Sequence, residues 1–509
     1  MRSLLTPLAP RLVEVFKSVD FTPAGVSAAL GSAAQAALYR GEPQAVLHAL
    51  AHRKNDPIAI LIQAFLLHRP VSQPDLAAVL STELFDDLST AKILIEDIVT
   101  SGFYASIDIR PHVFADTNRW VFSDMDASMI AGHIPGANHV LGVGAASLSL
   151  INTTPSSPVY DVLDLGTGSG VQLLGQAHCA QRFTATDVHP RALELAEATF
   201  AGADMEVELL AGSWFEPVAG RSFQRIISNP PFVVGPPEIN HVYRDSGLDL
   251  DGATELVVSQ VSDYLSVDGS AHILGAWVHR NNESWQQRVA SWLPSHGVAA
   301  WILQRDLADP MHYVGTWLRD ESIDPRSAEG QLKTEHWLRH FDQAEVTHIG
   351  FGYIAIQKID ESLPSEVLAE ELTQPIDEPL GNEIEEYFLR THWLRTITAE
   401  EILATQFLLR PGVAKEDVQL TNTAESMGFS PTALRLHRTD GPRFSHDIDT
   451  HLLAIIQGLH PQGLSLGEVA DLYALSKGLN EDALKKAVVV PVVDLIRHGF
   501  ILPSEITNL

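Results

Sequence analysis

Residues 229–232, Asn-Pro-Pro-Phe, follow directly on the apolar run "RIIS". Two consecutive prolines end ladder pairing, because neither donates a backbone N–H, and they hold the chain in a stiff extended corner. A corner of this kind presents one amide side chain (Asn229), one carbonyl aimed in advance (Pro230) and one aromatic ring (Phe232). A planar NH₂ nitrogen is a weak nucleophile, since its lone pair is delocalised into the adjoining π system. The Asn229 side-chain oxygen and the Pro230 carbonyl can each accept one of its hydrogens and aim that lone pair outward. Pro231 stiffens the corner, and Phe232 offers a face on which a planar group can stack. Neither a metal nor a strong base is required. An ordinary strand-ending loop would use the same four residues, so the rest of the chain has to decide.

Upstream, "DLGTGSG" sets Gly166, Gly168 and Gly170 alternately behind Asp164, with Thr167 between the first two. Glycines permit a tight turn and close approach of backbone to a ligand. A dinucleotide loop would be spaced G-x-G-x-x-G. Alternate glycines behind an acid suit a ligand that carries an ammonium group rather than a pyrophosphate. Asp187, with Val188 beside it, ends the next β-rich run, where a carboxylate can accept both hydroxyls of a ribose. Capping of the helix opened by Pro190 competes with that role. Ser213 and Trp214 follow the third run and would reach the adenine end of the same ligand, with burial in the core as the alternative for Trp214.

These motifs need a sheet to position them. Short apolar runs near 159–164, 183–187, 206–211, 223–228, 270–277, 298–304 and 346–357 alternate with helical stretches. That pattern predicts a seven-stranded, doubly wound parallel α/β sheet, with residues 305–345 as a helical insertion at its edge.

Taken in order, Asp164–Gly170, Asp187 and Asn229–Phe232 resemble the class I S-adenosylmethionine-dependent methyltransferases of the Asn-Pro-Pro-Tyr/Phe type. That group includes release-factor glutamine N-methyltransferases, ribosomal RNA guanine-N2 methyltransferases and adenine-N6 methyltransferases of DNA and RNA. The resemblance covers about residues 135–357 and implies a class I methyltransferase domain over 135–358 with a Rossmann-like fold and S-adenosyl-L-methionine as cofactor. It implies that Asp164, Gly166, Thr167, Gly168, Gly170, Asp187, Val188, Ser213, Trp214 and Asn229 hold the cofactor, and that Asn229, Pro230, Pro231 and Phe232 carry the transfer. Phe232, Tyr243 and Arg244 are the expected substrate contacts, an exposed polar turn being the alternative for Arg244 and Asp245. The stretch 240–256 also resembles the segment after this motif in the glutamine-modifying branch, where Asp251-Gly252 can be placed. Ser213 departs from that branch, which usually has aspartate there. The expected activity is N-methylation of a planar NH₂, either a glutamine amide of a translation protein or a base amine of ribosomal or other RNA, with adenine N6 of DNA as a further substrate. A winged-helix regulator that binds S-adenosylmethionine without transferring its methyl group is the alternative.

Bulk properties narrow this reading. A chain of 509 residues exceeds one core and predicts about three domains. No apolar run is long enough to span a bilayer, and Arg11 and Glu14 interrupt the start that a signal peptide would need. A cytoplasmic, membrane-free protein is expected. Cys179 is the only cysteine, which excludes an internal disulfide, and no structural metal is expected. The net charge of −30 argues against non-specific binding to nucleic acid. Residues 1–134 and 390–509 each read as helix, break, helix opened by Ser, helix ending at Gly102 or Gly499, then a β-like run, which is the order of a winged helix. Residues 359–389 contain no Lys or Arg and read as an acidic linker. Beyond them Arg390, Arg395, Arg435, Arg438 and Arg443 would form a basic patch for RNA if they folded together.

Overall fold

The structure, a computed structural model, describes residues 4–130, 136–239, 241 and 243–506. Asn240 and Val242, in the stretch 240–256 discussed above, lie outside the described residues. An eight-stranded sheet is built from β1 (Val159–Leu165), β2 (Ala180–Asp187), β3 (Val207–Ala211), β4 (Phe223–Ser228), β5 (Leu265–Arg280), β6 (Val298–Ala308), β7 (Val346–Lys358) and β8 (Glu366–Glu371). Their order across the sheet is β8-β6-β7-β5-β4-β1-β2-β3. Strand β7 runs antiparallel to β5 and β6, and the other neighbours are parallel. Strands covered on both faces bury nearly every residue, as β4 does: five of its six residues are buried, Arg225 and Ser228 among them. Strand order reverses beside β1 and β4, so the crevice for a ligand opens where the glycine loop and the Asn-Pro-Pro corner leave the sheet.

Helices α1 (Val171–Gln176), α2 (Pro190–Gly202), α3 (Gly252–Gln260), α4 (Pro310–Asp320) and α5 (Ala328–Gln343) pack around it. Helix α2 shows why these segments are helical. Pro190 sits at its first position, the His189 Nδ1 accepts the Arg191 N–H, and Ala192, Leu195, Thr199 and Phe200 recur at helical spacing to form the buried face. His189, not Asp187, therefore caps this helix.

Strand β8 corrects the expected linker. Its acids are not simply solvated: Trp301 Nε1 on β6 donates to Glu370 at 2.9 Å and Gln304 Nε2 donates to Glu371 at 3.1 Å. Side-chain donors on the neighbouring strand thus make an acidic run acceptable at a sheet edge, where charge also discourages further pairing. The remainder of the expected linker, from Leu372, belongs to a second compact unit formed by 152–155 and 372–509.

Residues 1–151 and 156–371 form the first unit, which holds the region before residue 130 together with the sheet; the boundary expected between 134 and 135 lies outside the described residues. Helix Ala9–Ser18 and the hairpin Ile107–Phe114/Thr117–Asp124 share a core with α2, to which Leu12, Phe122 and Leu195 all contribute. Arg191 reaches Asp124 at 2.9 Å, and the Phe122 N–H donates to Thr199. Between them, Pro57–Leu61 continues through a π-helical turn, Ile62–Leu66, followed by helices Gln73–Leu80 and Thr82–Thr90 and the short pair Leu94–Glu96/Phe103–Ala105, with Val71 bridged to Phe103.

In the second unit, helices Thr450–Gln457, Leu466–Lys477 and Glu481–Arg497 precede strand Ile501–Pro503, which pairs with Phe407–Leu409. Ser465 and Glu468 form a capping box at the start of the middle helix. Four of the five arginines expected to form a basic patch are engaged by acids of this unit instead. Arg390 and Arg438 are buried and share Glu383 at 2.6 Å each, Arg435 pairs with Asp447, and Arg443 pairs with Asp377. These arginines neutralise the chain's own acids. Burial pushes the Glu383 carboxyl up, but Arg390 and Arg438 outweigh it and hold it below its ordinary range. This stabilisation is present above the unfolded carboxyl pKa and is lost as pH falls through the lower folded value. Replacing Glu383 with Gln removes the carboxylate that the two buried guanidinium groups share, leaving Arg390 with Glu386 at 3.2 Å and Arg438 with Asp440 at 2.9 Å, and is expected to cost about 1–3 kcal/mol in the unfolding of this unit, read from denaturant midpoints.

Candidate active site

Leu165 ends β1, and the chain turns through Gly166, Gly168 and Gly170 at φ of 79°, 55° and 86°, a region that side chains with a Cβ rarely occupy. The three glycines differ in purpose. A Cβ on Gly166 or Gly168 would meet no atom within 4 Å, whereas one on Gly170 would lie 2.7 Å from the Phe200 ring. The first two keep the loop open toward a ligand, and the third lets the loop pack on α2.

Backbone and acid together hold that loop. The Gly166 and Thr167 N–H groups both donate to the Thr186 carbonyl at the end of β2, at 3.0 and 2.9 Å. Thr167 Oγ1 donates to Asp164 Oδ2 at 2.7 Å, the Gly168 N–H donates to Asp187 Oδ2 at 3.0 Å, and the His189 N–H donates to Asp187 Oδ1 at 2.8 Å. Each Asp187 oxygen keeps lone-pair capacity for a further donor. Asp164 is fully buried and its Oδ1 has no hydrogen-bond partner among the described residues. Burial pushes its carboxyl up to about 7, against the Thr167 hydrogen bond and with a small contribution from Asp187. Burial likewise raises Asp187, opposed by its two N–H donors.

A cavity of about 540 Å³ lies against this loop. Gly166, Thr167, Gly168, Asp187, Val188, Ser213, Trp214, Asn229, Pro230, Pro231 and Tyr243 all line it, which brings together most of the residues singled out from sequence. Trp214 stands at φ 49°, strained for a non-glycine residue, and turns the chain after β3 so that Ser213 and its own ring flank the cavity. Ser228 Oγ donates to the Leu165 carbonyl at 2.9 Å and ties the end of β4 to the end of β1, fixing the corner relative to the glycine loop. Asn229 is half-buried, and no side-chain hydrogen bond holds its amide among the described residues.

Other expected residues fall elsewhere. Phe232 packs on Phe351, with centroids 5.2 Å apart, against a cluster containing Val234, Trp337 and Phe341, and does not line the cavity. Arg244 is buried and ion-paired to Asp245, Asp320 and Glu321, so its guanidinium is not offered to a ligand. Asp251 is buried too, accepting the Val278 N–H and pairing with Arg288 at 2.7 Å. Asp164 lies beneath the lining rather than in it.

The segment before β1 escaped the sequence reading. His139, Leu141 and Gly142 line the opposite wall of the cavity. Ser169 Oγ donates to the Leu141 carbonyl at 2.8 Å and Gln172 Nε2 donates to the Ser147 carbonyl at 3.1 Å. Only the glycine pair Gly142 and Gly144 hinted at a close backbone approach there. Among the described residues no cluster of His, Cys, Asp or Glu is arranged to hold a metal, and no helix is long and apolar enough to cross a membrane.

The donor set fits a nucleoside bearing a cationic amino-acid tail: an open glycine cradle, an orphaned buried carboxylate oxygen, and an acid able to accept two hydroxyls. Comparison with known proteins agrees. Residues 137–263 match the methyltransferase small domain, and residues 18–100 and 385–503 match two domains of unknown function. The chain is 31% identical over 132 residues to ribosomal RNA small subunit methyltransferase C of Yersinia enterocolitica, which is 26% of this chain and 37% of that protein. The same enzyme of Erwinia tasmaniensis is 29% identical over 176 residues, 34% of this chain and 47% of that one. The chain thus spans less than half the length of these relatives. A T. thermophilus 16S rRNA N2 methyltransferase in complex with AdoMet and guanosine aligns over 40% of this chain and 56% of its own, at 15% identity and a TM-score of 0.27. The motifs, the cavity that gathers them and the matched segment identify residues 137–263 as a methyltransferase small domain of the class I S-adenosylmethionine-dependent kind, similar to that of ribosomal RNA methyltransferases.

Proposed function

We propose that the protein transfers a methyl group from S-adenosylmethionine to the exocyclic amine of a base in ribosomal RNA. The observation that carries this reading is the Asn229-Pro230-Pro231 corner standing on the wall of the cavity that also holds Gly166, Gly168 and Asp187. Asp187 would accept the ribose hydroxyls, Ser213 and Trp214 would flank the adenine, and Asp164 would face the amino-acid end through the glycine loop. When bound, the cofactor supplies a methyl group on a positively charged sulfur. Asn229 Oδ1 and the Pro230 carbonyl accept the two hydrogens of the acceptor amine and orient its lone pair toward the cofactor side of the cavity. The stiff corner supplies these acceptors with little reorganisation. RNA is favoured over a glutamine amide because the relatives are named as ribosomal RNA methyltransferases.

The flanking helices support a second element of the proposal, that each end carries a winged-helix module. Three helices followed by a two-stranded pair occur near 57–105, and three helices followed by a paired strand occur at 450–503. Both fit an acidic chain that docks through its modules rather than through a broad basic surface.

The deciding experiment incubates the protein with methyl-labelled S-adenosylmethionine and cell lysate, then separates RNase-sensitive from protease-sensitive label. Label in ribosomal RNA supports the proposal. Label in protein alone, or in neither fraction despite cofactor binding, overturns it.

The Asp164 carboxyl, raised to about 7 by burial, adds a pH dependence. It is protonated below that value and ionised above it, and a cationic ligand favours the ionised form. The ligand's α-ammonium, which lies beside its own carboxylate, stays protonated over the same range. Affinity for S-adenosylhomocysteine is therefore expected to fall by up to about tenfold per unit below pH 7, and Asp164→Asn to flatten that profile in calorimetric titrations.

A further inference from the structure

The stretch that follows the Asn-Pro-Pro-Phe corner is held by the inserted helices α4 and α5, not by the parallel strands that carry the cofactor loop. The Val233 N–H donates to the Arg244 carbonyl at 3.1 Å, and the Val234 N–H donates to the Tyr313 hydroxyl of α4 at 2.8 Å. Tyr243, on the cavity wall, donates its hydroxyl to Asp320 at the end of α4, also at 2.8 Å. Arg244 is the hub of this contact. Its side chain is 3% exposed, and its guanidinium meets Asp245 Oδ1 at 3.2 Å, Asp320 Oδ2 at 3.3 Å and Glu321, with the Trp317 ring 5.4 Å beneath it. Lys333 of α5 closes on the same Glu321 at 2.5 Å. Further out, His340 meets Asp249 at 2.8 Å.

We infer that α4 and α5 fix the acceptor side of the cavity, and that Arg244 is the positioning residue through which they hold Tyr243 and the stretch after Asn229. This rests on the methyl-transfer reading for its effect on catalysis, but the latch itself is a property of the fold. Among the described residues the side-chain partners of Arg244 are Asp245, Asp320, Glu321 and Trp317, and none belongs to the glycine loop or is Asp187. Loosening Arg244 therefore leaves cofactor binding alone and lets the acceptor-binding wall shift. A planar fork reaching three separate carboxylates is a task for Arg, and Lys would satisfy only part of it.

The test uses the full chain carrying Arg244→Gln, Arg244→Lys or Asp320→Asn, the last being a milder change at a half-exposed position in case the first does not fold. Methyl transfer to deproteinised ribosomal RNA is followed over a range of RNA concentrations, S-adenosylhomocysteine binding is measured by calorimetry, and amide hydrogen exchange is recorded without acceptor. A tenfold or greater loss of kcat/KM for RNA is expected in Arg244→Gln, with an unchanged Kd for S-adenosylhomocysteine and partial recovery in Arg244→Lys. The Val233 and Val234 amides should exchange faster in Arg244→Gln and Asp320→Asn, while those of the glycine loop keep their wild-type rates. Equal exchange at Val233 and Val234 in wild type and variants, or a cofactor Kd that weakens in step with kcat/KM, overturns the inference. A wild type that methylates no RNA refutes the functional reading instead and leaves the exchange result to decide the latch.

Discussion

Replacing Asn229 with alanine is expected to lower the rate of methyl transfer by roughly 10²–10³, the usual cost of removing one preorganised hydrogen-bond partner of a developing charge. The direction follows from chemistry. As the acceptor nitrogen attacks, its hydrogens become more acidic and its lone pair leaves the π system, so an oxygen already placed to accept a hydrogen bond is worth more in the transition state than in the ground state. The Asn229 side chain makes no hydrogen bond within the protein among the described residues and stands half-buried on the cavity wall. Its loss should therefore leave the unfolding midpoint and S-adenosylhomocysteine affinity close to wild type. Single-turnover rates with saturating cofactor check this. Equal rates in Asn229→Ala and wild type would remove the amide from the mechanism and weaken the proposed activity as a whole.

Asp187→Ala should act on the other half of the site and weaken S-adenosylhomocysteine binding by about 100-fold or more, since each charge-assisted hydrogen bond contributes about 1.5–3 kcal/mol. Two losses combine here. The carboxylate disappears from the position where it can accept ribose hydroxyls, and the N–H groups of Gly168 and His189, which donate to it at 3.0 and 2.8 Å, lose their partner. The second loss loosens the very turn that keeps the glycine cradle open. Asp187→Asn should fall between wild type and alanine, because its one remaining oxygen still accepts. Calorimetric titration checks this: a variant that binds the ligand as tightly as wild type would remove Asp187 from ligand binding and show that the turn stays open without it.

What could be read from sequence was local. The glycine loop, Asp187 and the Asn-Pro-Pro corner announced themselves because each depends on backbone geometry over three to seven residues, and Gly166, Gly168, Pro230 and Pro231 impose that geometry wherever they stand. The alternation of apolar runs placed strands on seven stretches, and all three motifs fall at strand ends around one cavity. The roles that remained hidden depend on partners distant in the chain. Gly170 is required by Phe200, thirty residues away, and nothing in the loop itself separates it from Gly166 and Gly168. Arg244 looked like a residue waiting for a substrate until Asp320 and Glu321 arrived from an insertion between two strands. Arg390 and Arg438 looked like an RNA patch until both folded onto Glu383.

The eighth strand and the wall formed by His139, Leu141 and Gly142 were missed for the same reason. A run rich in Glu is unfavourable as a strand by itself, and it becomes one only beside the Trp301 and Gln304 donors of β6. The segment 138–147 carries no motif, and reaches the cavity because Ser169 and Gln172 hold its carbonyls. Sequence alone picked out the glycine loop, the acid at the end of β2 and the Asn-Pro-Pro corner, because short-range sterics and covalent geometry mark them. Tertiary structure alone decided which charges face a ligand and which are spent within the fold, because an ion pair is defined by its partner and burial by everything packed around it.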